Sequence, residues 1–281
     1  MLSQDIIKKH DQMLYPTIRM RSKDAGGSGT VVYSGINETG QAETYVLGCH
    51  HVVEGSISIK DGWDSLLGRK VKKEHLSTVT VEPFRYNNYS HCVGGAASLE
   101  ADIVAYHAQF DLALLRLRDK ENTFTHVANM IPKSELDQIH VFDQVWCAGA
   151  ALGHPPLVTT GQLMCLDDEI EDLKFMLSSA MSIFGNSGGA IFRHSDENDR
   201  YEYIGIPARI TTMPKGFFGF ETVSWMGYGI PPERIYKFLD ANSFEFIYDP
   251  DKSPESCHAD RVKKQAQARR VLERMYGVVE E

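Results

Sequence analysis

Cysteine is scarce in this chain and carries no pattern. Five occur in 281 residues, at positions 49, 92, 147, 165 and 257. No two stand as C-x-x-C, so neither a zinc knuckle nor a disulfide framework is indicated. Reduced thiols in a cytosolic or intraviral compartment are the expectation. No apolar run approaches the ~20 residues a membrane span requires. Met1 to Tyr15 is polar and contains Lys8, Lys9 and Asp11, so no secretory signal is legible there. A basic excess is missing as well: 29 Lys and Arg face 38 Asp and Glu, for a net charge of −9. Neutralising phosphates needs a basic surface, so neither nucleic acid nor a membrane is expected as a partner. Apolar residues at 42% and charged residues at 24% exclude disorder, collagen and coiled coil as the main architecture. The length fits one large domain or two small ones.

What is present is β texture. Short runs rich in Val, Ile, Thr and Tyr are punctuated by Gly, Asn and Asp every ~8–12 residues. The first set comprises residues 17–21, 29–33, 44–47, 78–81, 101–106 and 112–117. The second comprises 144–149, 159–165, 174–178, 190–193, 203–209 and 223–229. The expected organisation is an N-terminal arm (1–14), a first barrel (15–121), a connector (122–138), a second barrel with a terminal helix (139–248), and a linker plus basic helix (249–281). Each barrel would hold about 110 residues. Residues 61–77 and 86–97 read as polar loops overhanging the cleft. Pro231–Leu239 reads as a helix with prolines at its first turn. His258–Tyr276 reads as an amphipathic helix on which Val262, Ala266, Leu272 and Met275 share the face that packs on the body. Its basic residues, Arg261, Lys263, Lys264, Arg269 and Arg270, make it the candidate surface for a protein partner. Trp63, Trp146 and Trp225 read as packing residues, Met164, Met176 and Met181 as core, and Cys147 and Cys165 as strand residues without a redox role.

Three segments carry chemistry. In Phe184-Gly185-Asn186-Ser187-Gly188-Gly189-Ala190 a serine is flanked by glycines. Such a turn reaches positive φ and can aim successive N–H groups into one concavity, as an oxyanion hole requires. A serine hydroxyl needs a base. Cys49-His50-His51-Val52-Val53 places a histidine pair after an apolar strand. Neighbours on a strand face opposite ways, and no carboxylate or cysteine pattern completes a ligand set, so no metal and no cofactor is expected. In Phe110-Asp111-Leu112-Ala113-Leu114-Leu115 an acid opens an apolar strand. It either caps a turn or orients a histidine, because an unpaired buried carboxylate is costly.

These segments resemble the His, Asp and Ser motifs of the trypsin-like, chymotrypsin-fold serine peptidases, and stand in that family's chain order. Asp111 follows His51 by 60 residues and Ser187 follows Asp111 by 76. The similarity is greatest to the HtrA/Deg-type branch and to related viral and phage peptidases. It extends to Gly26-Gly27-Ser28-Gly29-Thr30, His51-Val52-Val53, Asp111–Leu115, Gly149–Gly153 with Val158–Gly161, Ile204–Ile206 and Gly227–Pro231, over about residues 15–240. The resemblance implies an all-β fold of two six-stranded antiparallel barrels with the active site between them, followed by C-terminal helices. It selects His51 over His50 as the base, with Asp111 as its orienting acid and Ser187 as nucleophile. Gly185 and Ser187 would supply the oxyanion hole with Asn186 shaping the turn. Met181, Ser182, Ile183, Ala208, Arg209 and Ile210 would line the specificity pocket. No acid is seen at its base, so an apolar or small P1 residue is expected. The implied activity is serine endopeptidase on polypeptide substrates.

Departures are Ala190 where proline is common, Cys49-His50 before the base, and the lack of a cleaved hydrophobic amino terminus. Only about 40 residues follow the barrels, so no PDZ module is expected. Two competing readings remain at this level. One is a catalytically latent trypsin-fold protein that docks a partner, since fold does not determine function. The other is an esterase using the same triad.

Overall fold

The computed structural model describes residues 3–64, 68–87, 89, 91–216 and 219–276. The side chains of Cys92, Leu272 and Met275, and the ends of the arm and of the basic helix, lie outside the described part. The chain starts with α1 (Gln4–Lys9), capped by Ser3 Oγ on the Ile6 N–H, and one wide turn over His10–Leu14. Ten strands follow: β1 (Thr17–Arg21), β2 (Gly26–Ile36), β3 (Ala42–Gly48), β4 (Ile57–Asp64), β5 (Arg69–Leu76), β6 (Val79–Glu82), β7 (Phe84–Asn87), β8 (His91–Ala96), β9 (Leu99–His107) and β10 (Leu112–Leu117). A short helix α2 (His50–Val53) lies between β3 and β4. Beyond them come β11 (Asn129–Met130), β12 (Gln144–Gly149), β13 (Leu157–Ile170), β14 (Leu173–Ser178), β15 (Ala190–Ser195), β16 (Arg200–Lys215), β17 (Gly219–Ile230), α3 (Pro232–Ala241) and α4 (Pro254–Tyr276).

Strands β1-β2-β3-β10-β9-β6 close a six-stranded barrel. The second sheet runs β11-β16-β15-β12-β13-β14-β17, and a β16–β17 pairing joins its far strand back to β16. The long β16 makes that closure: Arg200–Gly205 pairs with β15 and Ile206–Lys215 with β17. Alternation explains the interiors. In β9 Ala101, Ile103 and Ala105 point inward between more exposed neighbours. β10 reads as a continuous apolar run because Leu112–Leu115 are all buried. Cα ladders and these cores account for the twelve strands expected from the sequence, most of them extended by a few residues.

The two polar stretches read as loops are two hairpins instead, β4–β5 and β7–β8. Their sequences lack the period-two signal because β5, Arg-Lys-Val-Lys-Lys-Glu-His-Leu, turns neither face to a core. Cross-strand backbone hydrogen bonds, not apolar burial, define them. The basic helix also differs from expectation. It starts at Pro254, inside the stretch read as linker, and Val262 is 51% exposed. Its first turns touch the body: Cys257 is buried, Arg261 Nη1 donates to Ser243 O (2.6 Å), and Lys264 Nζ donates to Ser243 Oγ (2.7 Å). Val262 and Ala266, two of the four residues expected on the packing face, are both exposed. Trp63 and Trp225 are exposed, and Met181 is 56% exposed rather than in the core, whereas Met176 is buried. No described helix is long and apolar enough to cross a membrane.

One polar cluster sits inside the second sheet. Glu202 is fully buried and accepts from Arg193 Nη2 (3.1 Å), Asn198 Nδ2 (3.0 Å) and Arg200 Nε (3.2 Å). Breaking such a pair leaves a charge buried without compensation. Glu202→Ala is therefore expected to cost about 3–5 kcal/mol in urea unfolding, and a double-mutant cycle with Arg193→Ala to recover part of it.

Candidate active site

Strand pairing brings two chemical residues together. β3 and β10 run antiparallel with Gly48 opposite Ala113, so the end of β3 lies beside the start of β10. His51 follows the first by three residues and Asp111 precedes the second. The histidine pair is on the helical turn α2, not on a strand, so the two rings part by roughly 100°. His50 is buried and stacks on Tyr106 at 5.3 Å, while His51 turns to Asp111.

The His51 ring nitrogen Nδ1 lies 2.8 Å from Oδ2 and 3.0 Å from Oδ1 of Asp111, and the His51 main-chain N–H donates to Oδ1 at 3.0 Å. Two donors from one residue thus converge on one carboxylate. Asp111 has φ of 56° and its N–H closes a turn on Ala108 O (3.1 Å). Aspartate is among the few residues that tolerate this left-handed conformation. Both sequence readings of Asp111, turn residue and histidine partner, describe the same residue.

The serine turn can be accounted for group by group. Phe184 O accepts from Leu152 N (2.8 Å), Gly185 O from Ser28 Oγ (2.6 Å), Asn186 O from Gly189 N (2.9 Å) and Ser187 O from Ser28 N (2.8 Å). Ile183 N donates to Asn186 Oδ1 (3.3 Å), Asn186 N to Ile183 O (3.1 Å) and Gly188 N to Pro207 O (3.0 Å). Asn186, itself buried, braces the turn further through Nδ2 to Cys147 Sγ (3.8 Å). Among the described residues, the N–H groups of Gly185 and Ser187 have no hydrogen-bond partner. Gly185 and Gly188 have φ of 95° and 87°. A Cβ at Gly185 would lie 2.5 Å from Ala150 O, and one at Gly188 would overlap the Ser28 carbonyl. Both positions need glycine for conformation and for space.

Ser187 Oγ donates to Ala208 O at 3.5 Å, and among the described residues it makes no hydrogen bond to His51. The six residues expected to line a specificity pocket fall in two groups that flank β17. Ser182 N donates to Ser224 O (2.8 Å), and Ile210 pairs with Gly227. Ser182 and Ala208 are buried, Ile183 and Ile210 half-buried, and Arg209 pairs with Glu171 at 2.8 Å. A separate cleft of about 510 Å³ adjoins the serine turn, with Gly185, Phe184, Leu152, Gly27, Arg21 and Lys23 in its wall.

The sequence showed no carboxylate or cysteine pattern that completes a ligand set with the histidines. In the structure, donor atoms of Cys49, His51 and Asp111 all lie within 4.8 Å of one another. Cys49 is fully buried and its thiol donates to Pro207 O at 3.7 Å. Burial pushes this thiol well above its ordinary pKa, and the charge of Asp111 adds to the shift. It is thus a neutral thiol beside the carboxylate. Cys147 is likewise pushed up, to about 12, by burial. Sequence reasoning missed Ser28 and Leu152. Their signal lay in the glycine-flanked Ser28 and in the glycines on either side of Ala150–Leu152.

Among solved structures, the chain is similar to the MamO protease domain from Magnetospirillum magneticum in its apo form. The identity is 18% over 81% of this chain and 97% of that one, with a TM-score of 0.52. It is also similar to the HtrA-type protease AlgW, in a serine-to-alanine form with a tripeptide. There the identity is 17% over 87% of this chain and 64% of that one, with a TM-score of 0.56. At these identities the likeness concerns the fold. No curated protein matches the sequence. Residues 27–198, more than half of the chain, match the trypsin-like peptidase domain, and the chain belongs to the trypsin-like peptidase family.

Proposed function

We propose that the chain is a serine endopeptidase that hydrolyses polypeptides through an acyl-enzyme. The observation that carries this reading is the His51–Asp111 pair. The carboxylate accepts from Nδ1 and from the main-chain N–H of the same residue. That arrangement favours the tautomer with Nδ1 protonated, which leaves Nε2 to accept a proton.

In this reading Ser187 Oγ leaves Ala208 O, where its hydrogen bond is at the limit of length, and donates to Nε2. Oγ attacks the scissile carbonyl carbon as its proton passes to Nε2. The imidazolium is stabilised by Asp111. The carbonyl oxygen becomes an oxyanion and accepts from the two unengaged N–H groups, Gly185 and Ser187. Collapse of the tetrahedral intermediate expels the amine, which takes the proton from Nε2, and leaves an ester on Ser187. Water then repeats the sequence with the same proton route and releases the acid.

The P1 side chain would lie between Met181–Ile183 and Ala208–Ile210. None of these six residues is acidic, and Arg209 is paired with Glu171, so an apolar or small P1 side chain fits best. One observation favours the latent, partner-docking reading: the serine hydroxyl rests on Ala208 O and not on His51. Apo hydrogen bonds at such sites commonly tighten only with substrate, which is why the peptidase reading is preferred.

Labelling with a fluorophosphonate tests the two readings. The wild-type chain is expected to label and Ser187→Ala to stay unlabelled; an unlabelled, folded wild type supports latency. Asp111→Asn should keep the fold and lower kcat by about 10⁴, because asparagine holds the wrong histidine tautomer. Cleavage of a peptide library should fall after apolar or small residues; a profile dominated by Lys and Arg overturns the pocket assignment.

A further inference from the structure

Ser28 lies on β2 of the first barrel, far in sequence from the serine turn, and is fully buried. Its hydroxyl donates to Gly185 O at 2.6 Å and accepts from Ala150 N at 2.7 Å. Its own main-chain N–H donates to Ser187 O at 2.8 Å. One residue of the first barrel therefore holds two carbonyls of the serine turn and the segment that leads to Leu152.

The consequences follow from peptide planarity. In a trans peptide the C=O and N–H point in opposite directions. The peptide bearing the Ser187 N–H has its own carbonyl, Asn186 O, on Gly189 N, and Ser28 holds the carbonyl of each of the two peptides that flank it, 185–186 and 187–188. The peptide bearing the Gly185 N–H has its carbonyl, Phe184 O, on Leu152 N. Leu152 sits two residues past Ala150, with φ of 52°, in a segment that Ser28 Oγ ties down. Gly185 has no side chain to resist rotation. Its left-handed φ of 95° persists because both neighbouring peptides are fastened from outside.

We propose that Ser28 is a positioning residue for the oxyanion hole: its hydroxyl, acting with the turn's own bonds from Asn186 N to Ile183 O and from Gly189 N to Asn186 O, fixes the directions in which the Gly185 and Ser187 N–H groups point. This rests on the serine peptidase reading. Replacing Ser28 by alanine leaves Gly185 O and Ala150 N without their partner and loosens the Gly185–Asn186 peptide, which then keeps the Asn186 N bond to Ile183 O. The residues proposed to hold the P1 side chain and the His51–Asp111 pair do not involve the hydroxyl, so the loss should fall on the transition state alone.

The test compares wild type, Ser28→Ala and Ser28→Cys, all full-length, by the second-order rate of fluorophosphonate labelling and by KM and kcat on a cleaved peptide. Removing an oxyanion donor outright costs about 10²–10³ in rate, so misdirecting the donors is expected to slow labelling and kcat by about 10-fold or more in Ser28→Ala, with KM unchanged. Affinity for a peptide boronate, which places a tetrahedral oxygen in the hole, should fall in parallel. Ser28→Cys, with a weaker donor in place, should lie between the two, and it serves as the informative variant if Ser28→Ala does not fold. A wild type that labels alongside folded variants that label equally fast overturns the role of Ser28 and leaves the peptidase reading standing. A KM increase with unchanged kcat also overturns it. A folded wild type that does not label overturns both.

Discussion

The architecture depends on backbone meeting backbone where the two barrels touch. Ser28 N–H donates to Ser187 O, and Gly27 sits so close that a Cβ there would lie 2.9 Å from the same oxygen. Gly188 meets Ser28 from the other side. At this crossing main chain meets main chain directly, with the Ser28 hydroxyl alongside, so the separation of the barrels is set by main-chain van der Waals radii and hydrogen-bond length. Such a contact has little of the tolerance that side-chain packing allows. It gives the serine turn a fixed position relative to β2, and through β2 and β3 relative to α2 and its histidine.

From that crossing the site assembles with few further requirements. His51 and Asp111 share the first barrel and are neighbours because β3 and β10 pair. Ser187 belongs to the second barrel, on the turn before β15. The polar atoms that shape each piece are mostly spent on shaping it. Asn186 uses its side chain on its own turn and on Cys147, and Asp111 uses both oxygens on His51. Among the described residues, the N–H groups on the two residues around Asn186 are left unengaged.

Much of this was legible in the sequence because the chemistry is local there. The glycines around Ser187, the acid opening an apolar strand and the histidine before Val52-Val53 are each read within about seven residues. Barrel strands with one buried face show their period of two. What escaped was of two kinds. Hairpins such as β4–β5 bury neither face, so nothing in their composition separates them from loops. Interactions between residues far apart in the chain, such as Ser28 with Gly185 or Arg193 with Gln138, have no spacing signal at all. The helix α4 shows the reverse error: an apolar periodicity was present, but too thin to decide what the helix would cover.

The left-handed backbone at Asp111 has a bearing on how such chains change over generations. This position is screened twice: once for a carboxylate facing the histidine, and once for a residue that tolerates positive φ. If the demand for turnover were relaxed, the second screen would still operate, and drift would be confined mainly to aspartate, asparagine and glycine. His51 sits on an ordinary helical turn and faces no such backbone filter. Among diverged copies of this fold, an aspartate retained here is therefore weak testimony to an intact reaction, and a retained histidine is much stronger.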